Sequence, residues 1–364
     1  MSESPFPPPR RVLWEITNRC DLQCDHCLVS ANDHVEDELS TDEALALVDQ
    51  MAALGVQAVS LTGGEPFLRK DWLKIAARVR DRGLKLRFST NGHLIDDATM
   101  DRLVSLETES ISVSIDGLKE THDRIRHPRS RSGSFSSFDR VVEVIAQLVS
   151  KPIIVSVRTT ILHDNLHELE ALHCLLKTLH VDRWVLQLGH PTGRLTGDEP
   201  AERCRVIQPS ELPTLASFIV DKSDDPILQP RAFNSIGYFG KKEPLLRKSG
   251  HDKGYPLWNG CSCGKTVIGI EPAGGVKGCA NQVGEPFVVG NIRKESLATI
   301  WNDRARWFWL TKDPARMSGY CKDCALSGIC GGGCTTLAFR STGEFFNNPY
   351  CLRRIERDIE GTKT

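Results

Sequence analysis

The run Cys20-Asp-Leu-Gln-Cys24-Asp-His-Cys27 sets three thiols in one short loop, and it constrains the chain more than any other feature. It follows directly on an apolar, β-rich run, Val12 to Thr17, so the loop leaves the carboxyl end of a strand. In parallel α/β barrels, ligands gather over that end of the strands. The number three is informative in itself. A structural zinc site normally closes with four protein ligands, whereas a 4Fe-4S cluster held by three thiolates keeps one iron open to another molecule. On spacing alone, a zinc knuckle completed by His26 or His34 stays open as the alternative.

Thirteen cysteines in 364 residues would be unusual as disulfides unless the chain were exported. The amino terminus, MSESPFPPPRR, holds no apolar run of signal length, and no later stretch approaches the roughly 20 apolar residues of a membrane span. The expectation is therefore a cytoplasmic protein whose clustered thiols hold metal. A formal net charge of -1 leaves no electrostatic surplus for a phosphate backbone or an anionic leaflet, so neither nucleic acid nor membrane is expected as a partner.

From Val12 onward, short β-rich runs alternate with amphipathic helical stretches, the pattern of parallel strands joined by helical crossovers. Six strands are predicted: Val12 to Thr17, Ala58 to Leu61, Lys85 to Ser89, Ser110 to Ile115, Ile153 to Thr159 and Trp184 to Gln187. The first helix carries a capping box at Ser40 and Glu43 and stops at Gly55. Helical period returns over Phe138 to Leu148 and Asn165 to Leu179. The fold class is α/β, a partial (β/α)6 barrel spanning residues 12–200, behind a short disordered segment at 1–11. Residues 201–260 read as a bridge, either irregular or helical. Eight of the thirteen cysteines lie beyond it, in a metal-organised domain at 261–364.

Cys20, Cys24 and Cys27 match the C-x3-C-x2-C signature of the radical S-adenosylmethionine (SAM) superfamily, with His26 in its usual aromatic-type position. Gly63-Gly64-Glu65-Pro66 after the second strand resembles the family's GGEP motif, which implies that its backbone and the Glu65 carboxylate take up the methionine ammonium. Ser89 and Asn91 end the third strand and Ser114 and Asp116 the fourth, resembling segments that contact the ribose and carboxylate of SAM. Arg126 and Arg158 are candidates for that carboxylate, because a guanidinium offers the fork that a carboxylate accepts. Arg158 could equally line a polar barrel interior or pair with a neighbouring acid.

Cys261, Cys263, Cys279, Cys321, Cys324, Cys330, Cys334 and Cys351, with Gly274 before Cys279, resemble the SPASM domain, which binds auxiliary 4Fe-4S clusters. The resemblance implies that Cys321, Cys324, Cys330 and Cys351 hold one cluster, and that Cys261, Cys279 and Cys334 hold another. Cys263 completes that second shell, replaces Cys261, or is spare. Gly331 to Gly333 suit the unusual dihedral angles between closely spaced ligands. Two thiols are left over: Cys204, and Cys174, which is expected to be a buried apolar thiol in a helix.

The implied cofactors are three 4Fe-4S clusters, one of them SAM-binding, and SAM itself. The implied reaction is reductive cleavage of SAM to a 5'-deoxyadenosyl radical, with electrons from a donor such as flavodoxin or ferredoxin. His190 and Arg194, after the sixth strand, are candidate catalytic residues. The chain best resembles peptide maturases of the mycofactocin and pyrroloquinoline quinone type, which implies oxidative modification or crosslinking of a ribosomally made peptide. About eleven residues precede the first strand, so any leader-binding module is expected to be a separate protein. The alternatives are side-chain modification of a small molecule or tetrapyrrole, sulfatase-type protein maturation, and a non-catalytic metal-bound scaffold or electron carrier.

Overall fold

Alternation along each strand, apolar on one side and small or polar on the other, decides the architecture. The structure is a computed structural model that describes residues 6–32, 37–129, 135–196, 205–248, 257–310 and 313–361. Six parallel strands follow one another in chain order: β1 (Arg11–Thr17), β2 (Ala58–Gly63), β3 (Lys85–Thr90), β4 (Ser110–Ser114), β5 (Ile154–Ile161) and β6 (Arg183–Leu188). All six predicted strands form, with ends shifted by no more than about two residues. Their outward residues, such as Trp14, Leu61, Phe88, Val113, Val157 and Trp184, are fully buried beneath the crossover helices. Burying a side chain of this kind contributes roughly 1.5–3 kcal/mol.

The crossovers are α1 (Thr41–Leu54), α2 (Trp72–Asp81), α3 (Asp97–Ser105), α4 (Lys119–Ile125), α5 (Ser137–Leu148) and α6 (Leu169–Thr178). In α1 the predicted cap is present. Ser40 Oγ accepts from the Glu43 amide at 3.3 Å, the Ser40 amide donates to Glu43 Oε2 at 2.8 Å, and Gly55 turns left-handed at φ 88°. The helical period predicted from Asn165 begins as a 3-10 turn, and the α-helix proper starts at Leu169. Asn165 itself is buried, with its amide donating to the carbonyls of Asp116 and Thr160 at 2.8 Å each. Cys174 is a correction. It lies exposed on α6, whose buried stripe is Leu169, Leu172, His173 and Leu176. Cys204 and His34 fall outside the described residues.

The sheet extends past both ends of the six-strand core. Within the stretch read as a bridge, α7 (Leu212–Asp221), β7 (Pro230–Ala232) and α8 (Glu243–Lys248) form, and β7 pairs parallel with β6. On the other side, β8 (Val267–Ile270) pairs parallel with β1, from Arg11↔Val267 to Trp14↔Ile270. The antiparallel strands β9 (Gly275–Lys277) and β10 (Gly290–Asn291) follow, giving one ten-stranded sheet with β10 and β7 at its edges. Lys277 on β9 pins this junction, its ammonium 3.1 Å from Glu15 of β1 and 3.2 Å from Glu271, all three in the interior or its margin. The remaining helices are α9 (Leu297–Asn302), α10 (Ser327–Cys330), α11 (Thr335–Thr342) and α12 (Leu352–Gly361). No helix among the described residues is long and apolar enough to cross a membrane.

Candidate functional site

The loop that carries Cys20, Cys24 and Cys27 is held from two directions. From the end of α4 and the segment after it, the carbonyls of Ile125 and His127 accept from the Asp25 and Gln23 amides at 3.0 and 2.9 Å. Arg129 donates to the Cys20 carbonyl at 2.8 Å and the Ala31 carbonyl at 3.0 Å. From the segment after β6, Arg194 donates to the Cys24 carbonyl at 2.7 Å and also to that of Ala31 at 3.1 Å. Arg194, expected among the catalytic residues, thus uses its guanidinium to clamp the loop. Arg129 does the same work and was not singled out in the sequence. A lone arginine gives no sign of which carbonyls it will meet.

Donors also face the sulfurs. The Ala31 amide points at Cys27 Sγ at 3.3 Å, Arg126 at Cys24 Sγ at 3.9 Å and the Asn91 amide at Cys20 Sγ at 4.0 Å. Burial, against the lowering pull of Arg126 and with the help of Cys27, raises the Cys24 thiol to about 12, and burial with Cys24 and Asp21 pushes Cys20 higher still. Three crowded soft donors with N–H groups aimed at them are poor as free thiols and good as a cage for an iron-sulfur cluster. Among the described residues no group of three or more His, Cys, Asp or Glu is arranged to hold a single metal ion.

Around the rim, the predicted residues are brought together but are largely paired with one another. Gly63 and Gly64 lie against β1, where a Cβ on either would come within 2.2 Å of the Thr17 or Arg19 carbonyl. The Gly64 and Glu65 amides donate to those two carbonyls. Pro66, itself buried, opens a 3-10 turn. Glu65 was expected to face an ammonium. It is fully buried, and its two oxygens accept from Thr90 Oγ1 at 2.8 and 3.0 Å and, through Oε2, from the Asn91 amide at 2.8 Å. Burial, with Asp21 nearby, raises its carboxyl to about 8. Arg126, expected at the cofactor carboxylate, donates to Asp116 at 2.5 Å. His26 lies 3.0 Å from the same carboxylate. Burial alone would raise the Asp116 carboxyl, but Arg126 and His26 overcome it and hold it well below the usual carboxylate range. Ser89 and Ser114 stand half-buried on the inward side of β3 and β4.

Behind the rim runs a buried chain that sequence reasoning missed. Asp21 meets His93 Nδ1 at 3.2 Å, His93 Nε2 meets Ser137 Oγ at 2.8 Å, Ser137 meets His122 Nε2 at 3.1 Å, and His122 Nδ1 accepts from the Asp116 amide at 3.2 Å. It runs from the Asp21 carboxylate, inside the thiol loop, to the backbone amide of Asp116. His190 is different again. It is 1% exposed with neither ring nitrogen partnered. Burial and then Arg340 lower its pKa to about 4, so it is neutral at pH 7. Arg158, on β5, donates to Gln187 at 3.0 Å.

The later cysteines form two groups. Cys263 shares thiol contacts with both Cys261 and Cys279, which raise its pKa, and Cys334 at the start of α11 faces Cys261 and Cys279. Cys330 is raised to about 12 by burial and by facing Cys351, Cys321 and Cys324. The three glycines between Cys330 and Cys334 all take left-handed φ, 65°, 76° and 72°, a run that only glycine tolerates cheaply. Tyr238 joins the groups: its hydroxyl accepts from the Cys334 amide at 2.9 Å, and its carbonyl lies 3.8 Å from Cys351 Sγ.

Comparison with known proteins bears on this arrangement. Residues 14–175 match the radical SAM superfamily, and residues 261–325 match the SPASM iron-sulfur cluster-binding domain. The AdoMet-dependent heme synthase of Methanosarcina barkeri is 30% identical over 355 residues, covering 95% of this chain and 97% of that protein. The chain belongs to the radical SAM superfamily. It is a radical SAM enzyme with a SPASM domain, and these two domains imply 4Fe-4S clusters and SAM. The mycofactocin maturase MftC of Mycobacterium ulcerans is 27% identical, covering 91% of this radical SAM chain and 84% of its own. Among solved structures, native anSMEcpe with bound AdoMet and Kp18Cys peptide shares the fold at TM-score 0.72 and 18% identity, covering 97% and 96% of the two chains.

Proposed function

We propose that this chain is a radical SAM oxidoreductase that takes a hydrogen atom from a side chain of a carboxylate-bearing tetrapyrrole. The observation that carries this reading is the likeness to the Methanosarcina heme synthase through both cysteine-bearing regions, at nearly equal length. It puts first the small-molecule alternative of the sequence reading. A second reading, modification of a ribosomal peptide with a separate leader-binding protein, is supported by the likeness to the mycofactocin maturase.

In either reading Cys20, Cys24 and Cys27 hold the SAM-binding cluster. Cys261, Cys263, Cys279 and Cys334 hold a second, and Cys321, Cys324, Cys330 and Cys351 a third. When bound, SAM and its cluster supply a 5'-deoxyadenosyl radical after one electron from a flavodoxin- or ferredoxin-type donor. The chain's own residues do the rest. Arg129 and Arg194 fix the thiol loop, and Ala31, Asn91 and Arg126 aim donors at its sulfurs. Ser89 and Ser114 on the inward rim make no side-chain hydrogen bond with a described residue and are placed to meet the cofactor. His190, neutral and without a hydrogen-bond partner in its buried place after β6, is the group able to accept a proton from the substrate.

The test is anaerobic incubation with SAM, dithionite and either a polycarboxylate porphyrin or a candidate precursor peptide, with 5'-deoxyadenosine and product mass as readouts. Stimulation by the porphyrin with a mass change in it supports the first reading. Stimulation by the peptide alone replaces it with the second.

A further inference from the structure

The inward face of the sheet is lined by small and polar side chains. Ser89 on β3, Ser112 and Ser114 on β4, and Ser156 and Arg158 on β5 are half-buried, as is Arg11 at the start of β1, while the residues alternating with them on β3, β4 and β5 are fully buried. Register puts Ser112 beside Ser156 and Ser114 beside Arg158. The serines are small, and the guanidiniums of Arg11 and Arg158 lie on the same face as them, with a third, Arg87, paired to Glu109.

Neither guanidinium is paired with a carboxylate of a described residue, and the acidic group acting on Arg11 is the Cys263 thiol. Arg11 makes no side-chain hydrogen bond or ion pair with a described residue, and its Nε is buried without a partner. Arg158 has a single hydrogen-bond acceptor, Gln187, and sits 5.4 Å from the centre of the Phe233 ring, with its Nε also buried and unpartnered. Ser112 Oγ is a third buried polar atom with no partner. The nearby acids are already engaged: Glu109 with Lys85 and Arg87, Glu15 with Lys277. Burial and then the charge of Arg11 lower the Arg158 pKa to about 10, so the two cations lie within reach of each other's field. Facing cations and unmet donors in one chamber are unfavourable until an anion joins them.

We propose that Arg11, Arg158 and Ser112 form a carboxylate-binding subsite inside the barrel that seats an acidic group of the substrate. This rests on the reading of the chamber as the substrate site of a radical SAM enzyme, and it adds the chemistry by which that substrate is recognised. A carboxylate accepts the fork of a guanidinium and a serine hydroxyl at once. β1 rises from Arg11 to Thr17, just below the Cys20 loop, over about 20 Å. A molecule held by its acid at Arg11 therefore presents its far end to the rim where the thiol loop lies. The same Arg11 lies near Cys263, so the anchored end borders the first SPASM thiol group.

The test uses the cluster-loaded enzyme and its Arg11→Gln, Arg158→Gln and Arg11→Lys variants, with Arg82→Gln as a surface control. Affinities are measured anaerobically for a polycarboxylate porphyrin, its methyl ester, succinate, dimethyl succinate and SAM, with iron content and circular dichroism as checks on folding. The expected result is a loss of about tenfold in affinity for the acids in each Gln variant, little recovery with Lys, and weak ester binding that the variants do not change. Should the enzyme ignore the porphyrin yet bind succinate in an Arg11-dependent way, the subsite stands and the tetrapyrrole reading falls. Acid and ester binding alike, or acid binding unchanged in both Gln variants, overturns the subsite. So does an Arg158→Gln variant that loses SAM affinity and keeps acid affinity, since that arginine would then serve the cofactor.

Discussion

Arg126 Nε lies 2.5 Å from Asp116 Oδ2, and the same guanidinium extends Nη1 to within 3.9 Å of the Cys24 sulfur. The cation beside the thiol loop is thus held by a carboxylate that is itself fully buried. Removing one partner strands the other's charge. Asp116→Asn is expected to destabilise the fold by about 3–5 kcal/mol, and adding Arg126→Gln is expected to recover part of that loss. Thermal midpoints of the two variants and the parent check this. Equal midpoints for Asp116→Asn and the parent would show that the pair contributes nothing.

The Arg129 and Arg194 clamps predict a local defect. Arg194→Ala leaves the Cys24 and Ala31 carbonyls short of a donor, so the loop opens and sheds its cluster. Iron per chain should drop by about four on mild chelation, with the spectra of the other clusters kept. Full iron retention would show that the loop needs no clamp.

Cys263 contacts both Cys261 and Cys279, which predicts that it is a ligand rather than a spare thiol. Cys263→Ala should lose the iron of the first SPASM group, about four per chain, whereas Cys174→Ala on the exposed face of α6 should lose none. Iron and sulfide analysis of the two variants decides the point.

His190 sets a pH dependence with a definite sign. Its pKa is lowered to about 4 in the fold, against about 6.5 when unfolded. The unfolded chain therefore takes up the proton first, and stability falls as pH drops from about 6.5 toward about 4, by about 3 kcal/mol in full. Above pH 6.5 the effect vanishes. His190→Gln should flatten that part of the stability profile relative to the parent. Identical slopes between pH 5 and 6.5 would place the residue in contact with water.

Much of the frame was legible because it is local. Ser40, Glu43 and Gly55 write the ends of α1 within one helix, and the alternation of Ser112 and Ser114 with Ile111 and Val113 writes both faces of β4. The cysteines announce themselves by spacing. What escaped depends on partners distant in sequence. Nothing near Val267 says that it will pair with Arg11, and nothing near Arg129 or Arg194 says that each will reach the Ala31 carbonyl. His93, Ser137 and His122 form a chain only once β3, α4 and α5 are packed. Cys174 misled because a helical thiol is apolar by type, while exposure is decided by which stripe of α6 meets the core.

The pairing of β8 with β1 also sets an order of events at the ribosome. The outer edge of β1 emerges well before its partner β8, which follows only after the strands and helices between them have been made. At 5–20 residues per second, that edge stays uncovered for roughly 10–50 s, displaying unpaired backbone groups to any neighbouring nascent chain. A chain cut short before Val267 would keep that edge bare for good.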